Sequence, residues 1–374
     1  MFHKALWMWN WKRGKYAVLL FLFSSLYFLS FEYYQAAETQ QSLFLHPEKI
    51  GEEKFYYHYS FHSSNSFWLG IITIILSCIL IGWERSNQNG DSLMTFPFKR
   101  RDMFLSKWVF GGFFIVLSFL INWGLMYFIY KSTIHFEYQS FEPFHRYFLY
   151  AIFTYIAIYT VSLCIGTFTG SIISQSIFSI TFCIMGMGIF SLLLLFFTAH
   201  AEAIHENKSY TSFENVYKFN KKTNISSAIL DFSISYNYHP TAQSDEDHGK
   251  VIQRGPTFHS YYSAKIILVP IFYTIFSLLI GMFLYARSPN EHNKKIFLFP
   301  KYNSLWMWCT TFYFALIGGQ MLKRFDLLFS YYVGFFLFGI VTYFILSRLT
   351  NYKVFLKERS YVSKSIMGAY LQTK

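Results

Sequence analysis

Charge is what this sequence has least of. Only 14% of its 374 residues are Asp, Glu, Lys or Arg, against about a quarter in ordinary soluble domains. That excludes a chain kept in solution by a charged surface. Ionisable residues are also missing from the middle of every long apolar run, the nearest being Glu32 and Lys265 at run ends. Ion-coupled transporters generally need such groups inside the membrane, so the usual means of coupling to an ion gradient is absent. Asn122, Gln175 and Gln320 remain, and these suit hydrogen bonds between helices. No G-x-x-x-x-G-K-[ST] occurs to hold nucleotide phosphates. No Ser/His/Asp or Cys/His grouping supports catalysis either, so no catalytic residue is assigned. Four cysteines, Cys78, Cys164, Cys183 and Cys309, all fall in apolar runs and offer the polar loops no disulfide framework.

What the chain does have is apolar length: 53% of residues are apolar and 23% aromatic. A bilayer-spanning helix needs about 20 mostly apolar residues. Eight stretches qualify: Tyr16–Tyr34, Phe67–Trp83, Trp108–Tyr130, Tyr147–Gly170, Ser174–Thr198, Ile266–Ala286, Ser304–Leu322 and Leu327–Ser347. The expected fold is an all-α polytopic membrane protein of about eight transmembrane helices. The fourth and fifth form a tight hairpin around Ser171, and the first is long enough to be a retained helix and not a cleaved signal.

Basic residues in the connections set the orientation. With the N-terminus in the cytoplasm, the cytoplasmic side receives 19 Lys/Arg against 5 Asp/Glu and the outer side 13 against 15. The net charge of +12 is therefore topological, and no nucleic-acid partner is expected. The localisation is the plasma membrane, multi-pass, with both termini cytoplasmic. Residues 1–15 are expected to form a helix in the membrane interface, with Trp7 and Trp11 on one face and Trp9 nearby. It would serve as an anchor or, more sharply, as an elbow that transmits movement. Residues 16–198 hold spans one to five, and 199–265 form a small extracytoplasmic cap with one or two short strands. Residues 266–347 hold spans six to eight, and 348–374 form a basic cytoplasmic tail. His58 and His62, or His200, Glu202 and His205 in "HAEAIH", have the residue types of a zinc site without its spacing. They suit interfacial hydrogen bonds, and no metal is assigned.

The one cytoplasmic loop between early spans reads "ERSNQNGDSLMTFPFKRRDMFLSK", residues 84–107. Glu84 and Arg85 end the second span, and "NQNGD" breaks the helix. Leu93, Met94 and Phe96 then form a very short amphipathic helix stopped by Pro97. The third span is expected to begin near Asp102, with Lys107 snorkelling to the interface. An apolar knob exposed to cytosol is unfavourable unless a groove receives it; the plainer alternative is a basic topogenic loop lying on the membrane.

This stretch resembles the first cytoplasmic loop of type 2 ABC-transporter permeases. Glu84, Gly90, Leu93, Pro97, Arg100, Arg101 and Lys107 follow that loop in order. The likeness extends over residues 1–286, and the chain adds a seventh and eighth span to the usual six. The resemblance implies a coupling helix at Leu93–Phe98 that docks in a groove on a separate ATPase, with Glu84 and Arg100 or Arg101 steadying it. The expected coupling set is therefore Glu84, Gly90, Leu93, Met94, Phe96, Pro97, Phe98, Arg100, Arg101 and Lys107. It also implies that ATP and Mg are bound by the partner ATPase and not by this chain. A second permease copy or a homologous permease would complete the pore, and the relatives are mostly bacterial exporters. The alternatives are an ATP-independent secondary transporter or channel, and a membrane sensor or immunity protein that uses its outer cap.

Overall fold

The computed structural model of the chain describes residues 3–45, 57–59, 63–86, 98–204, 225, 236–238, 267–288, 298, 301–323 and 328–348. It divides into two compact units. Met1–Gly186 and Lys221–Leu298 make the first, and Met187–Asn220 and Phe299–Lys374 the second.

Long apolar runs become helices because a backbone in hydrocarbon must satisfy its own hydrogen bonds. The first unit is built from α1 (Lys4–Ser25), α2 (Glu32–Leu45), α3 (Ser63–Leu80), α4 (Gly82–Ser86), α5 (Arg100–Ser132), α6 (His135–Tyr138), α7 (Glu142–Phe168), the start of α8 (Ile172–Ile204) and α9 (Leu268–Arg287). The second contains α10 (Lys301–Leu322) and α11 (Leu328–Arg348). Where they are described, all eight apolar stretches lie mostly on helices. Among the described residues, five helical segments are long and apolar enough to cross a membrane: Lys4–Leu45, Arg100–Ser132, Glu142–Phe168, Leu268–Arg287 and Leu328–Arg348. Ser64–Leu80 and Ile172–Cys183 are shorter apolar helices. The protein is an all-α polytopic membrane protein.

The N-terminal segment differs from expectation. No break sets residues 1–15 apart as an interfacial elbow: α1 continues past residue 15 to Ser25, then through a π-helical turn, Leu26–Phe31, into α2. The physical reason is one buried stripe, Leu6, Asn10, Gly14, Ala17, Phe21 and Ser25, which repeats at helical spacing across the expected boundary. Gly14 lies where an added Cβ would come within 3.0 Å of Phe110 and 3.2 Å of Leu80, so α1 seats closely on α5 and α3. Trp7 and Trp11 meet Phe110 edge-on and stack on Phe114 of α5, with centroid distances of 5.1–6.5 Å, and are not solely headgroup anchors.

Asn122 of α5 fits the hydrogen-bonding role expected of it. Its Oδ1 accepts from Ser30 Oγ at 2.7 Å, and its Nδ2 donates to Ser25 Oγ at 2.9 Å and Ser118 O at 2.8 Å. Ser25 precedes the π turn and Ser30 lies within it, so the amide holds the irregular part of the rod. Gln175 likewise donates from α8 to Ser162 O of α7 at 3.0 Å, beside a hydroxyl chain of Ser77, Ser162 and Ser179.

α7 is the centre of the first unit, packing on α3, α5 and α9. Its Tyr159 hydroxyl donates to Lys107 O at 2.7 Å and crosses α5 where Gly111 leaves room; a Cβ there would overlap the ring. In the expected cap, Tyr236–Tyr238 (β2) pairs antiparallel with Tyr57–Tyr59 (β1), placing His58 opposite Asn237. The strand partner thus comes from the connection between α2 and α3. In the second unit α10 and α11 meet at small residues, with Gly334 against the Gly318 carbonyl, as close helix packing in membranes requires.

The ends of the 84–107 loop as a candidate functional site

The sequence leaves the second span with three polar residues in a row, Glu84, Arg85 and Ser86. The structure carries them on α4, a five-residue helix that follows α3 after the turn at Ile81. Each of the three finds a partner in a different part of the bundle.

Glu84 is 5% exposed. Its Oε2 lies 2.6 Å from Lys107 Nζ on α5, and its Oε1 is 3.2 Å from Arg13 Nη1 on α1, an ion pair off the line of a hydrogen bond. Trp9 Nε1 donates to the same Oε1 at 3.3 Å, and Arg13 stacks 4.1 Å over the Trp9 ring. Lys107 also donates to Leu80 O at 2.7 Å, at the end of α3. A buried carboxylate with two cations around it meets the condition for holding charge in a low-dielectric interior. Three helices, α1, α4 and α5, are joined through this one group.

Arg85 points the other way. Its Nη1 donates to Thr167 O at 3.0 Å and Thr169 O at 2.8 Å, at the C-terminal end of α7. Its Nη2 lies 3.5 Å from Ser288 Oγ, just after α9, and the guanidinium faces the Tyr285 ring at 5.7 Å. The last carbonyls of a helix have no partner within it and carry the negative end of its dipole, so a cation there is favourable. Burial pulls the guanidinium down to about 10, and Arg100 nearby adds to that, while Tyr285 and Glu84 oppose it. It stays charged at neutral pH. Phe168 O, between the two carbonyls that Arg85 takes, accepts from Leu298 N at 2.9 Å.

Ser86 completes the arrangement by accepting from Ile172 N at 2.8 Å, at the first residue of α8. α4 therefore caps the end of α7 with a cation and the start of α8 with a hydroxyl oxygen. Gly82 makes the approach possible: an added Cβ would come within 2.8 Å of Ile172 Cα. The far side of the loop is fixed as well, since Arg100 Nη1 donates to Ser288 O at 2.8 Å.

Of the ten expected coupling residues, five are placed. Glu84 and Lys107 come together, Arg100 binds the end of α9, and Phe98 is half-buried with its ring 4.7 Å from His3. Arg101 is exposed. Gly90, Leu93, Met94, Phe96 and Pro97 lie outside the described residues. One expectation is corrected. Lys107 does not snorkel: at 1% exposure its ammonium turns inward, because a carboxylate and a carbonyl lie closer than water. α5 begins at Arg100, close to the expected start near Asp102, and Glu84, expected to steady the coupling helix with Arg100 or Arg101, is itself held by Arg13, Trp9 and Lys107. Arg13, Trp9, Arg85, Ser86 and Ser288 were not in the expected set. A glutamate, an arginine and a serine in succession at the end of a span were the available signal for two of them.

Of the histidines, His200 spends both ring nitrogens on protein, Nδ1 on Phe196 O at 2.7 Å and Nε2 on the Tyr332 hydroxyl at 2.6 Å. The side chains of His58, His62, Glu202 and His205 lie outside the described residues. Among the described residues no cluster could hold a metal ion.

Residues 8–190 match the family model described as ABC-2 family transporter protein. That stretch contains most of α1, all of α2 to α7, the start of α8 and every charged side chain of the network above. None of the curated proteins matches the chain.

Proposed function

We propose that the chain, whose residues 8–190 match the family model described as ABC-2 family transporter protein, is the permease subunit of an ATP-driven exporter coupled to a separate ATPase through residues 84–107. The observation that carries this reading is the anchoring of both ends of that loop. Glu84 and Lys107 close it with a buried ion pair, and Arg85 and Arg100 tie it to the ends of α7 and α9. A loop fixed so firmly at its base is suited to passing on a push delivered at its tip. Leu93, Met94 and Phe96 supply the apolar tip, ATP and Mg belong to the partner, and a second copy or a relative of this chain completes the pathway. Both termini and the loop then face the cytoplasm.

The test is co-purification from detergent extracts. An ATPase should come down with the full-length chain. Leu93→Ala with Phe96→Ala should release it, since each truncation removes apolar burial worth ~1.5–3 kcal/mol and interfaces concentrate their energy in a few anchors. Lys99→Gln, at an exposed position, should matter little. Full retention by the double variant would refute the docking site. Absence of any ATPase from the wild-type extract would favour an ATP-independent carrier or a sensor.

A further inference from the structure

We infer that Arg85 and Ser86 make the α7–α8 turn, and not only the two helices that flank the loop, a direct receiver of the loop's movement. The inference rests on the coupling reading above and names which helices are driven. By connectivity alone, the 84–107 loop could pull only on α3 and α5. The side chains add a second linkage. Arg85 holds two carbonyls at the end of α7, Ser86 holds the first amide of α8, and Gly82 lets α4 sit against Ile172. The opposed dipole ends of a helical hairpin are thus both capped by consecutive residues of one short helix.

Two features argue that this linkage does more than fill space. A buried guanidinium carries a desolvation cost that apolar packing would avoid, and here the acceptors that offset it are main-chain carbonyls of other helices, not a neighbouring carboxylate. Nη1 donates to both Thr167 O and Thr169 O while Nη2 of the same planar group reaches Ser288 Oγ, and a group held at three points transmits displacement in direction as well as distance, which a single contact does not. Arg85 also reaches Ser288 Oγ, and Arg100 holds Ser288 O from across the loop, so both ends of the loop meet at the same residue after α9. A displacement of the loop would move the ends of α7, α8 and α9 together. Arg85 is on this account a positioning residue for the transport step.

Hydrogen–deuterium exchange of the purified permease–ATPase complex tests it, read over peptides from residues 164–180 in the nucleotide-free and vanadate-trapped states. Wild type should show a clear difference between the two states. Arg85→Gln should keep its ATPase in the pull-down yet lose most of that difference, Arg85→Lys should recover part of it, and Ser86→Ala should reduce it. A purely structural role would raise exchange equally in both states and leave the difference intact, which would overturn the inference. So would a wild type without any nucleotide-dependent difference. If Arg85→Gln fails to assemble, Arg85→Lys and Ser86→Ala decide, and an undiminished difference in both refutes it. Failure of the wild type to co-purify an ATPase would remove the coupling reading itself, and that result is read from the pull-down before any exchange is measured.

Discussion

Lys107 on α5 and Glu84 on α4 stand 2.6 Å apart at 1% and 5% exposure, one on each side of the loop they close. Neither charge has water to fall back on. Removing one partner of such a pair strands the other, whereas replacing both by apolar groups can be close to neutral. Glu84→Ala should therefore destabilise the protein by about 3–5 kcal/mol, leaving Lys107 with Leu80 O as its remaining acceptor here. Glu84→Leu with Lys107→Met should sit closer to wild type than either single change. Melting temperatures in detergent measure the ranking; a double variant worse than both singles would contradict it.

Adjacent glycines on α5 should behave in opposite ways. Gly111 faces the Tyr159 ring with no room for a Cβ, while nothing lies within 4 Å of a Cβ at Gly112. Gly111→Ala should cost about 1–3 kcal/mol through overpacking and break the Tyr159 bond to Lys107 O. Gly112→Ala should leave the melting temperature unchanged or raise it slightly, since alanine is the better helix former by up to about 1 kcal/mol.

His135 should make stability depend on pH. The ring is fully buried, stacked 4.2 Å from Tyr33, with Nε2–H donating to Tyr33 O at 3.0 Å. Burial lowers it from 6.5 to about 4, partly opposed by that hydrogen bond. In the unfolded chain it titrates near 6.5, so between about 4 and 6.5 the unfolded state binds more protons. Stability is then complete above 6.5 and falls as pH drops toward 4, by up to about 3 kcal/mol. His135→Phe keeps the stacking and removes the proton, and it should flatten the melting temperature over that window. An unaltered slope would show that other groups control it.

Orientation can be checked by labelling. Cysteines at Ser209 and Ser244 should react with an impermeant reagent in intact cells, and one at Ser363 should not, as the distribution of 19 against 13 basic residues implies. Reaction at position 363 would invert the arrangement.

Helix positions were legible because the bilayer imposes a length and an apolarity that a run of residues either has or lacks. The network at the loop was only half legible. Glu84 and Lys107 could be picked out as members of a pattern, but their pairing could not, because Trp9 and Arg13 reach Glu84 from some 75 positions away in sequence. Lys107 read as a snorkelling lysine since sequence shows the apolar neighbours and hides the carboxylate that folding brings beside it. Arg85 read as an orienting charge, for basic residues at span ends have that role by default. The N-terminal rod was misjudged for a related reason: Lys12, Arg13 and Lys15 suggest an interface, yet the stripe through Asn10 and Gly14 already fits α5 and α3.

The pairing of Tyr57–Tyr59 with Tyr236–Tyr238 has a consequence for biogenesis. Roughly 180 residues separate the strands, and at about 5–20 residues per second the ribosome needs on the order of ten to forty seconds to make them. During that interval β1 exists and its partner does not. Its tyrosines and unpaired backbone must be kept from other chains by water, lipid or another protein. The strand pair therefore closes only after α3, α5 and α7 have been synthesised, and a chain truncated before residue 236 would expose that edge for as long as it survived.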